Sequence, residues 1–204
     1  EPVDSFAAEM EKLRAANADA AKVITLGEGT VSAADVNTFR IETPNLTIAG
    51  AGVDKTVINT GDFAISGQAG VLIAADNVTV RDLAVVSNNP GASGAAIKVT
   101  KIGTAEELPA VKNVTIANVS VKTIEAGFGL NLHGVEGATV TNVTVESSKK
   151  ASVSIASASD VEIDQLTTGT NDWNCDIYFP YNAANVAAYG KASEVTFGEL
   201  TLAN

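Results

Sequence analysis

The sequence predicts an all-β solenoid of about six stacked coils, closed at its N-terminal end by a helix. Two observations predict it. An eight-residue phrase recurs at 46–53, 78–85, 114–121, 138–145, 161–168 and 195–202, with apolar residues at its first, third, sixth and usually eighth places, Thr usually second and a polar turn residue usually fifth. Successive starts lie 32, 36, 24, 23 and 34 residues apart, and a unit that cannot bury its own apolar row must stack on its neighbours, so each repeat is one coil. The composition agrees. Of 204 residues 46% are apolar but only 5% aromatic, which suits repeated layers of β-branched side chains better than an irregular core. The repeat runs almost end to end without a linker, giving one domain with a capping helix over residues 1–22 and the solenoid over 23–204.

Taken in order, residues 4–21 read as an amphipathic helix: Phe6, Met10 and Leu13 share one face, and Asp4 or Ser5 can cap the first turn. Its expected task is to cover the open end of the solenoid, where an unpaired strand edge would otherwise be exposed. Residues 22–26 form a strand, Gly27 to Thr30 a turn, and residues 39–41 lead into the first coil. Upstream of the later phrases stand the apolar pairs Val71/Ile73, Ile97/Val99, Leu130/Leu132, Val153/Ile155 and Ile177/Phe179, each a short strand burying one side. From the second member of each pair to the next phrase the chain runs 5, 15, 6, 6 and 16 residues, so two insertions, 100–111 and 180–194, leave the same corner. A further loop, 87–94, enters the same strand from its other end. The fifth place of the phrase holds Gly50, Asp82, Asn118, Asn142, Gln165 and Glu199, a ladder of turn residues able to satisfy backbone groups at a bend. Asn45, Asn77, Asn113, Asn118 and Asn142 match the N-glycosylation pattern, but the repeat accounts for them without glycans.

Charge and cysteine content exclude several function classes. Thirteen Lys and Arg against 24 Asp and Glu give a net charge of −11, which repels nucleic acid and anionic membranes. No apolar run approaches the roughly 20 residues of a membrane span. The single cysteine, Cys175, permits no internal disulfide or cysteine metal cluster, and its position two before Ile177 fits a packed, inert thiol. The chain opens on Glu1 and closes on Asn204. The expectation is a mature or trimmed chain that has lost a signal peptide and an anchor or further domains of a larger surface protein.

Two stretches resemble a known family. Residues 41–58, reading Ile-Glu-Thr-Pro-Asn-Leu-Thr-Ile-Ala-Gly-Ala-Gly-Val-Asp-Lys-Thr-Val-Ile, resemble the first coils of the right-handed parallel β-helix proteins of the pectin-lyase-like superfamily, and the later Asn-Val-Thr-Ile/Val phrases resemble its coil repeat. The resemblance implies a right-handed parallel β-helix, an extracellular or cell-surface location, and contact with polysaccharide. Its members include pectate lyases, pectin methylesterases, polygalacturonases and many bacterial surface proteins without catalytic apparatus, and fold alone does not choose among them.

In the β-helix enzymes of that superfamily the groove lies on the outward face of one sheet, walled by loops from its corners. The two insertions point to the strand carrying Lys98, Asn131, Ser154 and Tyr178, which should stack as one outward column at about 4.8 Å per coil. Thr100, His133, Ala156 and Pro180 form the next column, and Asp176 shares the outward side with Tyr178. None of the three arginines is expected on the first column. Lyase chemistry needs several carboxylates around Ca²⁺ and a base, an inverting hydrolase needs two carboxyls about 6.5–9.5 Å apart, and the esterases use two aspartates with an arginine. The face offers Asp176, with Asp172 nearby, and Lys98 as its base, so no catalytic residue is assigned. His133 is the only histidine, and a lone outward His on such a strand reads as an ordinary surface residue. Trp173, Tyr178 and Tyr181 lie within one segment beside Asp172, Asn174 and Asp176. Its rings could stack on a sugar while the polar groups fix hydroxyls, or could pack beneath the long loop.

The expectation is therefore a secreted or cell-surface module, adhesin-like or scaffold, contacting glycan through Lys98, Asn131, His133, Asp172, Trp173, Asp176, Tyr178 and Tyr181. No metal site is assigned; Ca²⁺ is the one cofactor weighed, and Asp172 with Asp176 supply too few of its six to eight oxygen ligands. The alternatives are a polysaccharide lyase or glycoside hydrolase with a reduced site, and a stalk with no ligand.

Overall fold

A computed structural model describes residues 8, 21–33, 39–60, 69–88, 94–102, 110–125, 127–180 and 193–204. The expected capping helix lies outside these residues apart from Ala8 and Ala21, as do Tyr181 and most of the loops 87–94, 100–111 and 180–194. The regular elements are strands: β1 (Lys22–Thr25), β2 (Gly29–Ser32), β3 (Arg40–Ile41), β4 (Leu46–Ala49), β5 (Thr56–Asn59), β6 (Ala69–Ile73), β7 (Thr79–Ser87), β8 (Ala95–Val99), β9 (Val111–Thr123), β10 (Phe128–Ser148), β11 (Val153–Asn171), β12 (Ile177–Tyr178), β13 (Val195–Phe197) and β14 (Leu200–Thr201).

Every strand pairing is parallel, and strands within the stack pair with the equivalent segments of the turns before and after them, while β1, β2, β3, β12, β13 and β14 each pair with one neighbour. The phrase sets the register. Its second place aligns Thr47, Thr79, Thr115, Thr139, Glu162 and Thr196, and its third aligns Ile48, Val80, Ile116, Val140, Ile163 and Phe197. Alternation turns the third-place residues inward, where all but Phe197 are buried and form layers of one continuous core. Because parallel strands bond to both neighbours, the chain curls on itself, as in a parallel β-helix.

The long strands β7, β9, β10 and β11 bend sharply at columns of left-handed residues. One column is Asp82, Asn118, Asn142 and Gln165, at φ of 60°, 51°, 50° and 53°, which is the polar fifth place of the phrase. A second is Asn45, Asn77, Asn113, Gly137 and Asp160, one residue before each phrase begins. Left-handed backbone strains most side chains, but Asn and Asp tolerate it. The stacked amides also bond along the axis. Asn77 Nδ2 donates to Asn45 Oδ1 (2.9 Å) and Asn113 Nδ2 to Asn77 Oδ1 (3.0 Å); Asn118 Nδ2 donates to Asp82 Oδ1 (2.8 Å) and Asn142 Nδ2 to Asn118 Oδ1 (3.1 Å). The five asparagines of the glycosylation pattern are thus turn residues engaged with their neighbours.

Candidate functional site

The expected column forms, with two additions at its head, Arg40 and Leu72. Arg40, Leu72, Lys98, Asn131, Ser154 and Tyr178 share one register through β3, β6, β8, β10, β11 and β12. His133 and Ala156 pair in the next rank, as expected. Arg40 corrects the expectation that no arginine falls here. Phe39 and Ile41 are an inward pair like Val71 and Ile73, so the intervening Arg40 takes the outward place at the head of the column. The same alternation could have found it. Arg40 Nη2 donates to Glu42 Oε1 at 3.0 Å, which brings a carboxylate to this end of the face.

The column is not an open groove wall. Lys98 is only 8% exposed, and Asn131 and Ser154 are buried, because β6 and β8 are removed from solvent on both faces. Alternation in the sequence distinguishes the two faces of a strand but carries no information about what covers the outer one. Desolvation holds the pKa of the Lys98 amine below its ordinary value. Solvent is reached at the two ends of the column, by the half-buried Arg40 and by Tyr178, which is 36% exposed.

Asp176 likewise departs from expectation. It is 5% exposed, and its carboxylate accepts hydrogen bonds from the Asn204 backbone N–H (2.7 Å), Asn171 Nδ2 (3.1 Å) and Asn204 Nδ2 (3.3 Å), with Ser152 Oγ at 3.5 Å. Residues 203–204 lie across it, tied also by the Ala203 N–H to Thr168 Oγ1 at 3.0 Å. Strand parity predicts the side of Asp176 and is blind to a segment crossing from the chain's far end. Asp172 is exposed and faces Lys149 Nζ at 3.5 Å. Among the described residues no group of three or more His, Cys, Asp or Glu side chains is placed to hold a metal ion.

The aromatic segment builds a definite surface. Trp173 meets Tyr178 edge to face at 5.5 Å between ring centres, and both contact Phe128, edge-on at 5.5 Å for Trp173 and stacked at 6.4 Å for Tyr178. Lys150 Nζ lies 5.0 Å from the Phe128 ring centre and 5.4 Å from that of Trp173. Beneath, Phe128 packs with Ala95, Ala151 and Cys175, whose thiol reaches the Ile177 carbonyl at 3.4 Å. Asn171 Oδ1 accepts the Cys175 backbone N–H at 2.8 Å, and Asn174 takes a left-handed φ of 49°, which together close the turn presenting Trp173. Trp173 remains 45% exposed. Phe128, Lys149 and Lys150 escape a reading of the 171–181 segment alone, since they arrive from the preceding turn. Phe128 lies two places before Leu130 on the same strand, which is the signal that could have found it.

The structure therefore brings Trp173 and Tyr178 together, aligns Lys98 and Asn131 behind them in a buried column, and engages Asp172 and Asp176 with separate partners.

No protein-family profile matches the chain, and no curated protein matches it. Among solved structures, the A-module of the mannuronan C-5 epimerase AlgE6 from Azotobacter vinelandii is similar, with a TM-score of 0.50 and 19% sequence identity over 83% of this chain. The match spans 52% of that module, about half its length. The likeness is one of fold, and it supports a parallel β-helix for the curled, parallel-stranded architecture described above.

Proposed function

We propose that this chain is a right-handed parallel β-helix of about six coils, secreted or displayed on a bacterial cell surface, which binds glycan without transforming it. The observation that carries this reading is the exposed edge-to-face pair of Trp173 and Tyr178, seated on Phe128 and bordered by Lys150. Rings already locked by packing lose little freedom when a sugar stacks on them, so their apolar area converts to affinity more fully than that of a mobile side chain. Lys149, Lys150, Asp172 and Asn174 surround the rings with donors and acceptors for hydroxyl or carboxylate groups. The fold shared with a module of a mannuronan epimerase supports a polysaccharide as the partner.

A glycan array followed by calorimetry on the best ligand tests the reading. Trp173→Ala should weaken binding at least about tenfold, the scale of one lost stacking contact at about 1.4 kcal/mol. Unchanged binding, or an array without hits, overturns it and leaves the stalk.

A second reading, a polysaccharide lyase or hydrolase with a reduced site, rests on the shared register that sets Lys98 beside Asn131 with His133 in the next rank. Following unsaturated products and reducing ends on acidic polysaccharides separates the two. Turnover abolished in Lys98→Ala but preserved in Trp173→Ala favours the enzyme.

A further inference from the structure

The aromatic surface has a shape and a charge that select among glycans. Trp173 and Tyr178 stand with their ring planes 87° apart and their centres 5.5 Å apart, and both are exposed. Together they form a corner with two apolar walls facing different directions. A flat pyranose covers one wall by stacking its apolar face on the ring, and leaves the other wall to a group projecting from its edge. A hydroxyl fills that second wall poorly, because set against a ring it gives up water without a hydrogen bond in return. A methyl group fills it well.

The polar groups at the corner supply both a donor and acceptors. Lys150 Nζ lies over the Phe128 and Trp173 rings, 5.0 and 5.4 Å from their centres. Ring faces take up its charge without occupying its N–H groups, so it remains a donor. Asp172 and Asn174 flank Trp173 in the chain and supply the acceptors. Lys149 already faces the Asp172 carboxylate at 3.5 Å. The whole chain carries a net charge of −11, so a polysaccharide with a carboxylate on every sugar would approach against the field of the protein. A neutral ligand escapes that penalty.

We infer that the site takes a neutral glycan bearing N-acetylhexosamine residues, one of which sits in the corner of Trp173 and Tyr178. An acetamido group carries a methyl, a carbonyl acceptor and an N–H donor. The pyranose stacks on one ring and the methyl meets the other, while the carbonyl accepts from Lys150 Nζ and the N–H donates to Asp172 or Asn174. This rests on the glycan reading above and adds to it the identity of the sugar.

Chitotetraose and cellotetraose test it, since they differ only in carrying an acetamido group or a hydroxyl at one position of each sugar, and tetragalacturonate is the acidic comparison. Calorimetry on the whole chain should find chitotetraose bound at least about tenfold more tightly than either, as expected when a site built for an amide meets a ligand without one. Lys150→Met keeps an aliphatic stem over the rings. It should weaken chitotetraose about tenfold while cellotetraose binding and the melting temperature stay near those of the parent. Saturation-transfer NMR should show the acetamido methyl as the ligand group in closest contact with the protein. Equal binding of chitotetraose and cellotetraose, tighter binding of tetragalacturonate, no binding of chitotetraose at millimolar concentration, or an unchanged preference in Lys150→Met overturns the inference. Each of these spares the glycan reading where the array still returns hits that Trp173→Ala weakens. An array without hits removes both.

Discussion

Replacing Asn118 tests the corner that bends each turn, because two contributions there can be separated by choice of substituent. Its backbone sits at φ 51°, its Nδ2 donates to Asp82 Oδ1 at 2.8 Å, and its Oδ1 accepts from Asn142 Nδ2 at 3.1 Å. Asn118→Ala loses two hydrogen bonds, each worth about 1 kcal/mol net, and forces a Cβ without a compensating side-chain bond into the left-handed region at about 1 kcal/mol more. The expected loss is about 3 kcal/mol. Asn118→Gly loses the same bonds but accepts the positive φ freely, so it should cost about 2 kcal/mol. In ordinary strand backbone the order is reversed, since Gly is the worse residue there by about 0.5–1 kcal/mol. Urea unfolding followed by circular dichroism and by fluorescence of Trp173 gives the ranking, with coincident transitions as the check on two-state behaviour. An alanine variant as stable as the glycine variant refutes the left-handed argument. Both variants within about 0.5 kcal/mol of the parent refute the ladder as a source of stability.

Lys98→Met should stabilise the protein at pH 7 and remove a pH dependence. With the folded pKa below the unfolded value of about 10.4, the unfolded chain binds more protons between the two, so parental stability rises with pH across that window. The melting-temperature gap between variant and parent should therefore narrow as pH climbs towards 10; a constant gap contradicts it. Gly169→Ala places a Cβ 2.1 Å from the Glu146 carbonyl oxygen and should cost about 3 kcal/mol, whereas Gly27→Ala meets nothing within 4 Å and should be nearly neutral in the same urea experiment. Leu130→Ala, in a fully buried layer, should cost about 3 kcal/mol, and a loss below about 1 kcal/mol would mean the layer collapses around the gap.

How far the sequence could be read depended on whether a feature repeats. The phrase gave the registers of the third-place column from Ile48 to Phe197 and the bends at Asp82, Asn118, Asn142 and Gln165, because each coil imposes the same inward apolar row and the same corner. Lys98, Asn131, Ser154 and Tyr178 fall into line for that reason, and the inward pair Phe39 and Ile41 puts Arg40 in the same line. Exposure was not legible. Lys98 and Asp176 have outward parity, yet both are buried, and for Asp176 the cover is Asn204, 28 residues away in the chain. The partnership of Trp173 with Phe128 and Lys150 was hidden as well, since it joins consecutive turns at positions outside the repeated phrase.

The sequence by itself determined the stacking: alternation at period two and a recurring left-handed corner are local properties, and repetition makes them global. The tertiary structure alone decided which outward side chains meet solvent and which carboxylates are enclosed. Those outcomes depend on segments far apart in the chain closing over one another, and no residue encodes in its own neighbourhood what will lie on top of it.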